Sequence, residues 1–242
     1  MVASNKRTGL FISGTDTGVG KTLVAGGLVR LARTRGRRAL AIKPVETGCA
    51  LRDGVLYPED GAFLREAGDN ELSLDDCTPF RFSFPASPAR AAAMEGRRLS
   101  FAEIEGHSRA VADAGDFTIV EGAGGLMVPI QDDLMMIDLM ERLGFPVLVV
   151  ARTKIGTVNH TLLSLEALRN RKVEVAGVVL SSSTSSGGPE EEFTPADISR
   201  FAKDIPVVVL PHLEEGKARN PSSIANVMAA SWPDRVVNGW IG

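Results

Sequence analysis

The chain is 242 residues long, 44% hydrophobic and 24% charged, with a formal net charge of −3. That length fits one large domain by the usual span of roughly 100 to 200 residues each. The weak negative charge excludes a general attraction to nucleic acid or to an anionic membrane surface, so any bound anion must be held by local groups.

No apolar run approaches the roughly 20 residues that cross a bilayer, and the opening MVASNKRTG lacks the apolar centre of a signal peptide. The expectation is a cytoplasmic protein with neither nucleic-acid nor membrane partners. Cys49 and Cys77 lack metal-ligand spacing and read as plain thiols. His107, His160 and His212 form no ligand-spaced pair, which argues against zinc.

In chain order, Leu10-Phe11-Ile12 predicts a buried strand that runs into GTDTGVGKT, Gly14 to Thr22. A helical pattern follows, with Val24, Leu28, Leu31 and Ala32 on one face. Strand, glycine-rich turn and helix start aim backbone N–H groups and the positive end of the helix dipole at one place, which makes a phosphate cradle. Lys21 then reaches the outer phosphates and Thr22 offers its hydroxyl to Mg²⁺. Five residues rather than the usual four separate Gly14 from Gly20, and a tight turn without a ligand is the alternative reading.

Arg33, Arg35, Arg37 and Arg38 read as a solvated helix end. Ala39 to Ile42 predicts a second strand, and Lys43 at its carboxyl end stands where open α/β sheets place ligands, or is simply solvated. Glu46 to Gly96 reads as a long irregular connection, with a short helix around Ala62 to Glu66. Within it Asp60 is either a metal ligand or an exposed or N-capping carboxylate. Ser100 to Ala114 predicts a helix with a capping box from Ser100 to Glu103.

Phe117 to Val120 is a strand ending in Glu121-Gly122-Ala123-Gly124-Gly125, an acidic residue followed by glycines that let a ligand approach the backbone. A metal or active-site role for Glu121 stands against a solvated strand end. A helix at about Met136 to Leu143 precedes the aliphatic strand Pro146 to Ala151. Lys154 to His160 then opens a helix that either receives an anion or is merely capped by Thr157 or Asn159. The remaining elements are a strand over Val173 to Leu180, a small-residue loop over Ser181 to Gly188, a helix over Pro195 to Ala202, a strand over Pro206 to Leu210 and a final helix over Ser223 to Ser231. Residues 232–242 carry no strong pattern and are left unassigned, so the expected core covers about 8–231. Alternating strands and helices predict an α/β fold with a mainly parallel sheet and helices on both faces.

Taken together, GTDTGVGKT, KPVETG at Lys43 to Gly48, Asp60, EGAGG at Glu121 to Gly125 and KIGTVNH at Lys154 to His160 closely resemble the dethiobiotin synthetase family, from about Leu10 to Leu213. The resemblance implies a single-domain P-loop fold over 1–242 and an ATP- and Mg²⁺-dependent ligase of biotin biosynthesis. Its small-molecule substrates would be 7,8-diaminononanoate, CO₂ and ATP, joined through a carbamate and a carbamic-phosphoric anhydride. Carried onto this chain, it assigns catalysis to Lys43, Lys21 and Thr17. Nucleotide binding falls to Gly18, Val19, Gly20, Lys21, Thr22 and Leu23, and the metal to Thr22, Asp60 and Glu121. Substrate binding falls to Thr47, Gly124, Gly156 and Asn159, the last two coming from the partner subunit of a homodimer. One departure stands out: Ser181-Ser182 replaces an Asn-Asp pair whose asparagine reads the adenine edge. The base contact is then weaker or comes from backbone around Pro211 to Leu213.

Overall fold

The computed structural model describes residues 8–182 and 189–242. The chain opens with β1 (Gly9–Gly14), α1 (Lys21–Thr34) and β2 (Ala39–Ile42). The connection that follows holds β3 (Val45–Thr47), β4 (Ala50–Arg52), β5 (Val55–Tyr57), α2 (Glu59–Ala67), α3 (Leu74–Cys77), β6 (Phe80–Phe82), α4 (Pro88–Met94) and α5 (Phe101–Ala114). Then come β7 (Phe117–Gly125), β8 (Pro129–Gln131), β9 (Leu134–Met135), α6 (Met136–Leu143), β10 (Val147–Arg152) and α7 (Thr157–Asn170). The chain closes with β11 (Val175–Ser181), α8 (Pro189–Ala202), β12 (Val207–Leu210), α9 (Glu215–Ala218), α10 (Pro221–Ser231) and α11 (Asp234–Ile241).

Six strands form one parallel sheet in the order β12-β11-β10-β1-β7-β2. This is the α/β architecture expected from the alternating pattern. Its strands are nearly all apolar because both faces are covered. Along β1 the side chains alternate between the two cores: Phe11 packs with α5 and α6 residues such as Ile104 and Met140, whereas Leu10 and Ile12 pack with α1 and α10 residues such as Leu28 and Ile224. The α1 stripe of Val24, Leu28, Leu31 and Ala32 is buried as its spacing requires. Strand order switches between β1 and β10, and beside that point the loop after β1 and the carboxyl ends of β7 and β2 line a cleft. No helix among the described residues is long and apolar enough to cross a membrane.

Four expectations are corrected. The tail is part of the core: α11 buries Val237, Trp240 and Ile241, and Trp240 meets Trp232 edge-on with ring centroids 5.6 Å apart. The indole N–H groups are satisfied, Trp232 donating to the Val209 carbonyl at 2.8 Å and Trp240 to that of Ala176 at 2.9 Å. The connection from Glu46 to Gly96 is not irregular, since it contains the β4–β5 hairpin, the parallel pair β3–β6 and three short helices. The arginine cluster is not simply solvated. Arg33 binds Asp69 and Glu71, Arg35 donates to Asn238, Arg37 donates to the Ile241 carbonyl and Arg38 pairs with Glu71, so these cations tie α1 to α2 and to the tail. Finally, neither Thr157 nor Asn159 caps α7; Gly156 does so in a left-handed conformation (φ 90°) without a side-chain bond. Most of the expected loop, residues 183–188, lies outside the described residues.

Candidate active-site cleft

The loop after β1 is pinned to the sheet by the Thr15 N–H, which donates to the Val150 carbonyl at 2.9 Å. Gly18 (φ 68°) and Gly20 (φ 101°) then bend the chain into α1. Gly20 is required twice over: its φ lies in the left-handed region, and a Cβ there would sit 2.7 Å from Ser181 Oγ. Asp16 accepts the Thr17 N–H at 2.6 Å, and Lys21 folds back to donate to the Asp16 carbonyl at 2.9 Å. Burial holds the Lys21 ammonium below its ordinary pKa, against the pull of Glu121.

Facing this loop, β7 and β2 deliver a buried charge cluster. Thr22 donates to Glu121 Oε1 at 2.9 Å, and Lys43 donates to the same oxygen at 3.1 Å and to Asp60. Glu121 is 1% exposed. Burial raises its pKa while Lys43 opposes the shift. Burial alone would strip the charge from Lys43, yet Glu121, Asp60 and Glu46 override it and raise its pKa. Lys43 is therefore a fixed cation. A fourth charged group, Glu46 on β3, accepts the backbone N–H of Asp60 at 3.1 Å and of Gly61 at 2.9 Å. Burial, then the neighbouring Asp60 charge, pushes the Glu46 carboxyl up to about 7 against the pull of Lys43.

The second oxygen of Glu121 is buried with no hydrogen-bond partner among the described residues. An orphaned buried carboxylate oxygen is costly unless a cation completes it. With Thr22 and Asp60 beside it, the donor set is all oxygen, which suits a hard divalent ion such as Mg²⁺.

A cleft of about 1000 Å³ brings together Thr17, Gly18, Gly20, Lys21, Thr22, Leu23, Lys43, Thr47, Asp60, Glu121 and Gly124. Val19 is buried and lines an adjoining cleft of about 210 Å³, with Ser181, Ser182 and Pro211 to Leu213. Thr47 donates its hydroxyl to the Ala86 carbonyl at 2.9 Å. Gly156 and Asn159 are exposed at the start of α7 and line neither cleft. Sequence reasoning passed over four contributors. Glu46 lay in plain sight within KPVETG. Arg152, which donates to the Thr17 carbonyl at 2.7 Å, gave no signal beyond its place at a strand end. Arg52 and Tyr57 reach the cleft on the β4–β5 hairpin, whose Asp53-Gly54 turn, with both residues at positive φ (51° and 79°), is the signal that could have found it. A larger cleft of about 1590 Å³ opens beside Thr8, Pro146 and Trp240, and contains none of the catalytic, metal or substrate residues expected from the sequence.

Comparison with known proteins places this geometry. Residues 8–220 match the family model of an AAA domain. The ATP-dependent dethiobiotin synthetase BioD of Anaeromyxobacter sp. (strain K) is 42% identical over 222 residues, covering 92% of this chain and 97% of that protein. The chain belongs to the dethiobiotin synthetase family. Other members include the enzymes so named from Thermodesulfovibrio yellowstonii, 37% identical over 86% of this chain and 90% of that one, and from Bacillus subtilis (strain 168), 32% identical over 80% and 82%. Among solved structures, a ParA family ATPase from Chlorobium tepidum superposes with a TM-score of 0.53 over 97% of both chains at 12% identity. That likeness shows the P-loop fold alone.

Proposed function

We propose that this chain is a cytoplasmic dethiobiotin synthetase that joins 7,8-diaminononanoate and CO₂ at the expense of ATP, closing the ureido ring. The observation that carries the reading is Lys43, a buried ammonium paired with Asp60 and Glu121, which hold its pKa above the ordinary value, in the same cleft as Lys21 and Thr22. One amine of the diamine captures CO₂ as a carbamate. A carbamate oxygen attacks the γ-phosphate, ADP departs, and the second amine attacks the carbonyl of the resulting anhydride to expel phosphate and close the ring. Each amine gives up a proton to solvent as its N–C bond forms, and the phosphoryl transfer and ring closure develop negative charge on oxygens, which asks for fixed cations and orientation rather than a protein nucleophile.

In this scheme the N–H groups of Gly18 to Leu23 cradle the phosphates, Lys21 leaves the Asp16 carbonyl for the outer phosphates, and Thr17 contacts them from inside the loop. Lys43 bridges carbamate and γ-phosphate. Thr47 turns its hydroxyl to the carbamate, and Gly124, whose φ of 68° leaves no side chain over the cleft, lets the diamine approach the backbone. Thr22, Asp60 and Glu121 would hold Mg²⁺, which when bound offsets charge on the phosphate oxygens. Gly156 and Asn159 serve the cleft of a second subunit, where the helix start receives the distal carboxylate. Exposure of Ile155 (87%) and Leu163 (61%) beside them supports a homodimeric arrangement.

The test is to supply diamine, bicarbonate, Mg²⁺ and ATP and to look for the ureido product by mass spectrometry. ATP binding without that product would sink the reading.

A further inference from the structure

Glu46 is buried, carries a charge-bearing group, and belongs to none of the roles assigned above. Its contacts explain why it is there. Helix α2 begins after Pro58, which supplies no side-chain cap. A helix start leaves its first N–H groups without partners, and the usual remedy is a side-chain oxygen from the residue before it. Here the remedy comes from another element: one Glu46 oxygen accepts the Asp60 N–H and the other accepts the Gly61 N–H. The two amides belong to the second and third residues of α2, so the carboxylate grips the turn that carries the Asp60 side chain. Glu46 sits three residues after Lys43 on the same short stretch, β2 to β3, and Asp60 in turn accepts from Lys43. The chain thus makes a closed loop of contacts: Lys43 to Asp60 by side chain, Asp60 to Glu46 by backbone, and Glu46 back to Lys43 along the strand. Gly61 must be small for this to close, because a Cβ there would lie 2.0 Å from Thr78 Oγ1.

We propose that Glu46 is a positioning residue for the metal and carbamate end of the cleft: by clamping the first turn of α2 it fixes Asp60 against Lys43. This rests on the assignment of Asp60 and Lys43 under the proposed function. It adds a residue whose hydrogen bonds reach the cleft through Asp60, beside its charge on Lys43, and which touches neither nucleotide nor diamine. Neighbours that orient a ligand in this way typically contribute 10- to 100-fold to metal affinity or activity.

The experiment compares wild type, Glu46→Gln, Glu46→Ala, Asp60→Ala and the Glu46→Ala/Asp60→Ala double variant as full-length protein. Glu46→Gln keeps the shape and one acceptor, and guards against simple loss of folding. Four readouts are taken: kcat, the Mg²⁺ concentration at half-maximal rate, ATP affinity measured in EDTA, and hydrogen exchange of the 59–67 segment. The expected outcome for Glu46→Ala is a kcat lower by about 10- to 100-fold and a higher Mg²⁺ requirement, with metal-free ATP affinity unchanged and faster exchange at the start of α2. Glu46→Gln falls between. In the Asp60→Ala background the second substitution adds no further loss of kcat, since its effect runs through Asp60. The proposal is overturned if the losses in the double variant multiply, or if folded Glu46→Ala exchanges faster in α2 yet keeps wild-type kcat and Mg²⁺ requirement. Absence of synthetase activity in the wild type would instead refute the proposed function, and the exchange measurement would still report whether Glu46 holds the helix start.

Discussion

Replacing Lys43 with methionine keeps an unbranched stem of similar volume and removes the one cation that Asp60 and Glu121 share. Glu121 is then a fully buried carboxylate that keeps the Thr22 hydroxyl and the more distant Lys21 ammonium but has lost its salt bridge. Breaking a buried pair by removing one partner costs about 3–5 kcal/mol. The lower end applies here, because the Asp60 side chain is 40% exposed and stays hydrated. Glu121, already raised by burial, also relieves the strain by taking a proton. The variant is therefore expected to melt lower by several degrees and to recover part of that loss as pH falls, since its folded state binds a proton that the unfolded chain releases. Catalytically the loss is larger. A fixed donor aimed at developing charge contributes roughly 10²–10³ in kcat. The assay is steady-state turnover with ATP, bicarbonate and diamine, alongside calorimetric ATP binding. Turnover is expected to fall by about 10²–10³ while ATP affinity changes by less than about threefold, because the phosphates are held by the α1 start and Lys21. Turnover within about tenfold of wild type would refute a bridging role for Lys43.

Further outcomes follow from other parts of the fold. Glu46 lowers stability as pH rises from about 4.5 to about 7, because across that window the folded protein binds a proton that the unfolded chain has released. Metal-free wild type should lose up to about 3 kcal/mol more than Glu46→Gln over the same range, and parallel urea-midpoint curves for the two would refute this. Trp240→Ala is expected to cost about 3–5 kcal/mol, because the indole packs on Trp232 and donates to Ala176. A melting temperature within a degree or two of wild type would show that the tail is expendable. Ser181 and Ser182 offer hydroxyls in the smaller cleft and no amide, so GTP and CTP are expected to support kcat/KM within about a hundredfold of ATP. A preference of 10⁴ or more would mean that the backbone of Pro211 to Leu213 reads the base edge.

Much of this was legible because strong signals were local. β1, α1 and β2 follow from unbroken apolar runs and a 3.6-residue stripe, and the expected elements carrying Lys21, Glu121 and Lys43 formed where the pattern put them. Gly14 to Thr22 with its extra residue, KPVETG and EGAGG together named the family, which no one of them would have done. What stayed hidden depends on contacts distant in sequence. The tail helix is eight residues long and contains Gly239, so its apolar stripe of Val237, Trp240 and Ile241 spans little more than one turn, and what holds it is contact with Trp232 and Ala176. The arginines at the end of α1 look solvated until the turn after α2, with Asp69 and Glu71, and the tail bring them acceptors. Glu46 shows no periodicity that marks it, since its partners are two backbone amides fourteen and fifteen residues on. The hairpin carrying Arg52 and Tyr57 has only three residues in each strand, but its Asp53-Gly54 turn was a readable signal.

The most direct measurement of the central claim follows an oxygen atom. With ¹⁸O-labelled CO₂ supplied in excess and the reaction stopped early, attack of a carbamate oxygen on the γ-phosphate requires that one ¹⁸O per turnover appear in inorganic phosphate and one remain in the ureido product. That is the expected result. Unlabelled phosphate released at the rate of ATP consumption would mean that water attacks the γ-phosphate instead, and would contradict the account.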